Sequence, residues 1–529
     1  MSSAIAAADT GAEASVAAPL DDRPLLQTRN RPLLLAAVMA VSICQFLDAT
    51  IANVALPHMQ AALGASSESI SWVLTTFIVT TAIATPITGW LSDRVGSRRL
   101  FISATLLFLL TSAACGAATS LPEMVVFRGL QGIAAAFIGP LTLTIMFDIS
   151  APSKQAMTVA VFSMIVMVAP ISGPFLGGFL TEYLNWRWIF YVNLPLGIPA
   201  LALLWWLLPS RPLERRPLDI FGFVMIGAGL ASMQLMLDRG QHNDWFNSWE
   251  TIFELLIALC AFWVFVLHSR DTATPLFKRD LYKNTNFLFS LAFMAVMGIA
   301  VVGLSAILPM MFQTIYGYPV METGLMMGPR GIGVMISSLL AGILARRVDP
   351  RLIMSVGYVI AAAGMFSMTR WTIEMDSTPI LLASFVQGIG FGFVTSPMNL
   401  LAFATLSPAV RPDGSSLSSL FRSLGGSIGI SIIVMMLARN QQVSHADLAA
   451  HVVGYSTPAL DMQAAPDQVS ELGAGTLATI EGQVSRQALM IAYLDNFYLL
   501  SWVLLAFAPL PYLLKRPPRM GGNPPPPME

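Results

Sequence analysis

The sequence predicts an all-α membrane protein of fourteen transmembrane helices, arranged as two six-helix bundles with two helices inserted between them. Three observations carry this: the number and length of the apolar windows, the sidedness of lysine and arginine, and an internal repeat at a spacing of about 250 residues. Composition sets the class first. Of 529 residues, 55% are hydrophobic and 11% charged, where a soluble domain carries about 25% charged residues. The net charge of −1 leaves no basic field to hold nucleic acid. Cys44, Cys115 and Cys260 stand singly in apolar runs, which excludes a disulfide scaffold and speaks against a structural zinc site.

A helix needs about 20 mostly apolar residues to cross a hydrocarbon core about 30 Å thick. Fourteen windows qualify: 33–56, 70–91, 100–119, 123–146, 156–180, 188–208, 218–237, 249–268, 286–312, 324–345, 352–370, 379–403, 415–438 and 491–513. With residue 1 in the cytoplasm, 21 of the 29 lysines and arginines fall in inner segments and 5 in outer ones, and Arg128, Arg330 and Arg422 lie within windows. That asymmetry satisfies the positive-inside rule only for an even number of spans with both termini cytoplasmic. Residues 1–30 read as a disordered tail without a secretory signal, and 516–529 as a Pro-rich tail.

The repeat comes next. Leu56-Pro57 returns as Leu308-Pro309, Gly89-Trp-Leu-Ser-Asp-Arg-Val-Gly-Ser-Arg as Gly342-Ile-Leu-Ala-Arg-Arg-Val-Asp-Pro-Arg, and Gln131-Gly132-Ile133 as Gln387-Gly388-Ile389. Three near-equal offsets in one order indicate duplication. The expected organisation is therefore a first bundle over 31–210, an inserted pair over 211–284, and a second bundle over 285–515 with an outer segment at about 440–490. Parallel repeats of this kind are a transporter architecture with its site near the midplane.

Asp48 stands about two-thirds along the first span, where an ionised carboxylate costs at least ~2.5 kcal/mol. Two readings follow: a cavity-facing group that exchanges a proton, or a carboxylate held in a static pair. Arg128 is the only cation inside the fourth span and cannot deprotonate. It either tunes a carboxylate such as Asp48 or pins two helices together. Arg330 and Arg422 are weaker candidates, Arg330 because its long side chain can snorkel and Arg422 because it follows a Ser-rich stretch. The segment with Pro170, Gly173, Pro174, Gly177 and Gly178 predicts a kinked, closely packed fifth helix, with gating and plain packing as its alternatives. In the inner turn Gly89–Arg99, with Asp93, Arg94, Gly96 and Arg98, the arginines are topological anchors or, together with Asp93, form a lock between halves. Phe46, Trp72, Phe77, Met164 and Met167, with Arg422, are candidates for an adaptable apolar cavity. His445 and His451 lack metal spacing.

The Gly89–Arg99 turn, the Arg128/Gly132 element, Gly173-Pro174 with Gly177-Gly178, the Leu47-Asp48 to Leu56-Pro57 helix and Trp186 to Pro195 together resemble the major facilitator superfamily. More narrowly they resemble its fourteen-span drug:proton antiporters of the EmrB/QacA type, over residues 31 to 515. The resemblance implies the major facilitator fold, two bundles rocking about a central cavity, lipophilic small-molecule substrates exchanged for protons, and coupling roles for Asp48 and Arg128. It implies conformational roles for the glycine-rich turn, Gly132 and the Pro-Gly helix, and no cofactor beyond the proton gradient. The outer segment looks closest to the EmrB branch, which implies a bacterial inner-membrane protein with a periplasmic adaptor and an outer-membrane channel as partners. Arg346 stands where a second copy of Asp93 belongs, so only the first half keeps the lock. No phosphate-cradling loop supports an ATP-driven pump, and no nucleophile-and-base spacing supports an enzyme. A proton-coupled carrier of one specific metabolite, importer or exporter, and a non-transporting sensor remain compatible with the architecture.

Overall fold

The computed structural model describes residues 22–214, 216–240, 243, 245–451 and 473–515. Every apolar window corresponds to a helix long enough to span: α1 (Arg31–Leu63), α2 (Trp72–Val95), α3 (Ser97–Ala117), α4 (Leu121–Asp148), α5 (Gln155–Tyr183), α6 (Trp188–Leu207), α7 (Ile220–Arg239), α8 (Trp249–Asp271), α9 (Thr285–Thr314), α10 (Val320–Leu344), α11 (Pro350–Met368), α12 (Ser377–Ala404), α13 (Arg411–His451) and α14 (Gly473–Phe507). Local chemistry sets several ends. Ser120, Asp219 and Asn284 accept a backbone N–H from the first turns of α4, α7 and α9, satisfying donors that no carbonyl can reach. Gly64 closes α1 at a φ of 62°, in the left-handed region. Pro86 removes a donor inside α2, and the chain tightens there into a 3-10 turn at Thr85–Ile87.

Helices α1–α6 form one bundle and α9–α14 the other. Inside the second, Gly425 and Gly429 lie against the backbone of Ala295 and Ile299, so α9 and α13 pack with little between them. The halves meet along two seams. On one, α5 lies against α10 over its length: a Cβ on Gly342 would approach Ala160 to 2.6 Å, one on Gly324 would approach Phe175 to 2.7 Å, and one on Gly178 would approach Val320 to 2.9 Å. On the other, α13 approaches α4 and α1, with Thr144 Oγ1 and Ser415 Oγ 2.9 Å apart. The inserted pair sits beside this second seam. Helix α7 touches both halves, through Gly227 against Ile83 and through Leu237, whose carbonyl accepts from Ser431 Oγ at 2.7 Å. Helix α8 packs on α7 by Phe262 against Gly229 and exposes Phe253, Trp263 and Val266 on its outer side, an apolar belt suited to hydrocarbon.

The seam is closed at the arginine-rich end and open at the other. On α1, Phe46 faces α13, and the residues that continue its stripe away from that end, Ala49, Asn53 and Pro57, are exposed. A cleft therefore opens between the halves from about the level of Phe46 outward.

Two expected segments differ from the structure. Helix α13 does not stop near 438 but runs on to His451, and α14 begins at Gly473. Their extensions pair as a hairpin, with His445 Nε2 at 2.7 Å from Glu481 and Asn440 donating to Asp495 at 3.2 Å. The tip of the outer segment, 452–472, lies outside the described residues, as do 1–21 and 516–529 of the two tails.

Candidate functional site

Asp48 and Arg128 are both fully buried and paired, with Arg128 Nη1 2.6 Å from Asp48 Oδ2. The carboxylate is satisfied further: its Oδ1 accepts from Gln131 Nε2 at 3.1 Å and from Asn193 Nδ2 at 3.0 Å. Asn193 also donates to Ser112 Oγ, which donates to the carbonyl of Phe190. On the cation, Nη1 donates to Gln131 Oε1 at 2.9 Å and Nε to the carbonyl of Val73 at 3.2 Å. The ring of Phe77 lies under the guanidinium at 4.2 Å and that of Phe190 at 5.7 Å. A buried pair tolerates its desolvation only where the remaining donors and acceptors are met, and here α1, α2, α3, α4 and α6 each supply part of that shell. Gln131 and Asn193 are essential members that motif reading left without a role. The signal was available for both: each is an amide inside an apolar run.

The second half has no counterpart. The repeat offsets carry Asp48 to Ala300 and Arg128 to Ser384. Arg330 does not snorkel, as the sequence suggested; it is fully buried, donating to the carbonyl of Val301 at 3.2 Å and to Ser305 Oγ at 3.4 Å, over the ring of Phe391. Its position on the α12-facing side of α10 keeps it from either end of the helix. Among the described residues the buried carboxylate–guanidinium pair thus belongs to one bundle.

Residues 38–430 match the family model of the Major Facilitator Superfamily. The chain is 33% identical over 496 residues to Multidrug export protein EmrB of Escherichia coli (strain K12), covering 92% of this chain and 96% of that one. The chain belongs to the major facilitator superfamily. It is also 32% identical to the Fatty acid resistance protein FarB of Neisseria gonorrhoeae, over 90% of this chain and 95% of that protein. Among solved structures, the major facilitator proton:xylose symporter XylE aligns with a TM-score of 0.54 at 14% identity, covering 88% of this chain and 96% of that chain, a likeness of fold. These relatives place the chain in the EmrB branch of the superfamily, as its motifs implied.

In this member of the superfamily the Gly89–Arg99 turn engages partners that spacing did not reveal. Gly89 has no side chain because Asp413, at the start of α13, occupies that space. The Asp93 carboxylate lies 3.4 Å from Arg216 Nε and 3.2 Å from Lys278 Nζ. Arg216 Nη2 reaches Asp413 at 2.8 Å, so one guanidinium from the segment between α6 and α7 bridges α2 and α13. Beside it Arg211 pairs with Asp148 at 2.7 Å and donates to the carbonyl of Pro408. Lys278 Nζ also meets Glu214 at 2.5 Å. Burial pulls the Lys278 pKa down, but the hydrogen bond to Glu214 and the charges of Asp93 and Asp413 outweigh it and leave the group above its ordinary value. The same bond holds Glu214 below the usual carboxylate range. The halves are clamped here by the segments that flank the inserted pair. Arg94 stands outside the clamp over Trp90, and Arg98 donates to the carbonyl of Trp205 at 2.6 Å. Gly96, at a φ of 97°, makes the turn between α2 and α3.

The remaining candidates divide. Gly132 is required by contact, since a Cβ there would approach the carbonyl of Phe77 to 2.5 Å. Gly173 and Gly177 admit Thr50 and Ile51 of α1, Gly178 admits Val320 of α10, and α5 stays helical through Pro170 and Pro174. Phe46 faces the cleft against Arg422, ring to guanidinium at 5.9 Å. Trp72 does not line the cleft; it begins α2 at the far end, under Arg239. Phe77 packs beneath the ion pair, Met167 is buried in the core, and Met164 is half-buried on the α10 side of α5.

Breaking a buried pair from one side costs about 3–5 kcal/mol, while replacing both charges costs far less. Arg128→Ala should therefore lower the thermal midpoint of the detergent-purified protein strongly, and the double change Asp48→Asn with Arg128→Gln should recover most of the loss. Additive losses in the double variant would show that the two side chains are not coupled. For the clamp, Arg216→Gln should free Asp93 and Asp413 from their shared cation and loosen the arginine-rich end. With Cys260 replaced by Ala and a cysteine at Thr144, maleimide labelling from that face should rise several-fold, and unchanged labelling would remove Arg216 from the closure.

Proposed function

We propose that this protein is a proton-coupled exporter of diverse lipophilic compounds, working by alternating access across the bacterial inner membrane, with both termini and the clamped, arginine-rich end in the cytoplasm. The observation that carries it is the buried Asp48–Arg128 pair beside an outward-opening cleft. In this reading, Asp48 takes up a proton when a small rotation of α1 carries it toward the stripe on which Ala49 already faces water. The neutral acid no longer needs Arg128, whose charge falls back on Gln131 Oε1, the Val73 carbonyl and the Phe77 ring. The pair then has two arrangements, one for each protonation state. Motion passes to the seam through α5, which touches α1 at Thr50 and Ile51, two and three residues beyond Asp48. Close backbone packing leaves no flexible side chain to absorb a shift there. The chain divides accordingly into a first bundle over 31–210, an inserted pair over 211–284 that carries the clamp, and a second bundle over 285–515. Export rather than import is favoured by the names of the relatives as multidrug export and resistance proteins.

The outer hairpin suits an assembly surface for a periplasmic adaptor leading to an outer-membrane channel. Ile480, Val484 and Ile491 are only half-buried along α14, although α13 and Ile315, whose carbonyl accepts from Arg486, cover part of that helix. Leu477 continues the same spacing, and its side chain lies outside the described residues.

Asp48→Asn keeps the shape of the side chain and removes a costly charge, so membrane insertion should be retained while everted vesicles lose all response to an imposed pH gradient. Gradient-driven transport by the variant would overturn the proton-site reading. Glu substitutions at Ile480 and Val484 should leave vesicle transport intact yet abolish resistance in whole cells and cross-linking to the adaptor. If vesicle transport falls too, the hairpin supports the fold instead.

A further inference from the structure

We infer that Arg422 is the anchor of an anion-binding subsite at the floor of the cleft, which selects substrates carrying a carboxylate or sulfonate on an apolar, aromatic body. This deepens the transport reading and rests on it. Three arginines lie within spans, and a guanidinium stays charged wherever it is placed. Arg128 has Asp48, and Arg330 has a carbonyl and a hydroxyl in a sealed site. Arg422 differs from both: among the described residues it has no carboxylate, hydroxyl or carbonyl hydrogen-bond partner, and the ring of Phe46 lies 5.9 Å from its guanidinium across the seam. The side chain is half-buried and lacks a protein acceptor, so a ligand anion could supply one.

A second observation converges on the same place from other helices. Around Gly139 of α4, the point where a Cβ would stand has Gln45 Oε1 at 3.4 Å, Ser419 Oγ at 3.8 Å and Phe46 Cζ at 4.0 Å, so groups from α1 and α13 converge there at van der Waals distance. Gln45 is nine-tenths buried, and its Oε1 has no hydrogen-bond partner. A buried amide oxygen left open in this way carries an unrepaid desolvation cost until a donor arrives. Ser419 is one turn from Arg422 on α13, and Gln45 precedes Phe46 on α1, so amide, hydroxyl, ring and cation surround one opening between the halves. An anion reaching Arg422 would lay its aromatic body on Phe46 and bring a polar substituent to Gln45 and Ser419. A substrate cation at the same place would meet Arg422 as a like charge, with no carboxylate paired to it among the described residues, and Asp48 is enclosed by Arg128. Because Arg422 and Phe46 belong to different halves, a ligand bound between them contacts both, and occupancy depends on how far apart they stand.

The test uses three probes of one shape and three charges: 1-naphthylacetate, 1-naphthylacetamide and 1-naphthylmethylammonium. Binding is measured by calorimetry on the full-length protein in lipid nanodiscs with no pH gradient, so the result stands apart from transport direction and from Asp48. Naphthylacetate should bind at least 10-fold more tightly than the other two. Arg422→Gln should erase that preference while leaving the amide unchanged, Arg422→Lys should retain part of it, and Gln45→Leu should weaken all three without altering their order. Equal binding of the three probes to the unmodified protein, preference for the ammonium, no binding of any probe, or an equal loss for all three in Arg422→Gln would each overturn the assignment. Should Arg422→Gln fail to yield monodisperse protein, the rank order in the unmodified protein and in Arg422→Lys still decides. If naphthylacetate binds as expected but vesicles do not move it under a pH gradient, the subsite stands and the coupled-export reading falls.

Discussion

Everything in the first bundle is arranged around two opposite charges that must live inside hydrocarbon. Asp48 and Arg128 stand where neither can reach water, and their attraction repays the loss of hydration only if almost every remaining donor and acceptor is met. The bundle meets that condition by convergence: an amide on α4, another at the start of α6, a hydroxyl on α3 that holds the second amide, a carbonyl and an aromatic face from α2. Each contact fixes the rotation and depth of the helix that supplies it. The pair therefore acts less as a bond between two helices than as a common reference for five, and Gly132, which brings α4 against α2 at Phe77, is part of the same requirement.

Such a network has few intermediate states. In a low-dielectric interior a half-satisfied polar cluster is worse than either extreme, so a change in protonation of Asp48 reorganises its neighbours together. The route outward is short, because the next turn of α1 lies directly on the glycine face of α5, and α5 in turn lies on α10 of the other half. At the arginine-rich end the balance is different. On the linker side of the clamp, Lys278 is raised and Glu214 lowered. The contribution of Lys278 is complete below the ordinary lysine value and fades only as pH rises through its raised one; that of Glu214 is complete above the ordinary carboxylate value and fades only as pH falls through its lowered one. Between those limits this side of the clamp does not respond to protons.

Much of this was legible in the residues and some was not, for identifiable reasons. Span number and order follow from hydrocarbon thickness, which leaves a 20-residue apolar signature that packing cannot disguise, and all fourteen windows are helices. Ends were less legible: α13 outruns its window because a helix leaving the bilayer faces no penalty for continuing through polar residues such as Gln441 and His445. Asp48 and Arg128 were conspicuous as charges in apolar runs. Gln131 and Asn193 were quieter, because a neutral amide costs less to bury and its role depends on what it meets 60 or more residues away. The clamp was the hardest to see. Asp413, Arg216 and Lys278 read as ordinary charges flanking spans, and only the approach of α13 to Gly89 shows why a glycine stands there.

The positions of the three in-span arginines follow from one rule applied to two halves that have diverged. A guanidinium in the bilayer interior needs an acceptor, and duplication supplied each half with the same helices but not the same charges. The first half holds a carboxylate and encloses it with Arg128. In the second half, Ala300 and Ser384 stand at the equivalent places, and its arginines are met in other ways: Arg330 by backbone and hydroxyl oxygen in a closed site, Arg422 by the open cleft and a ring from the other bundle. The lack of a carboxylate at Ala300 has a further consequence. On the proposed reading it confines the proton-exchanging charge to one bundle and leaves Arg422 on the facing side of the seam, opposite Phe46, so the sites proposed for the proton and for the substrate lie on opposite sides of the same seam. Two sites so placed need not compete for one group, and each can bias the same movement of α1 against α13.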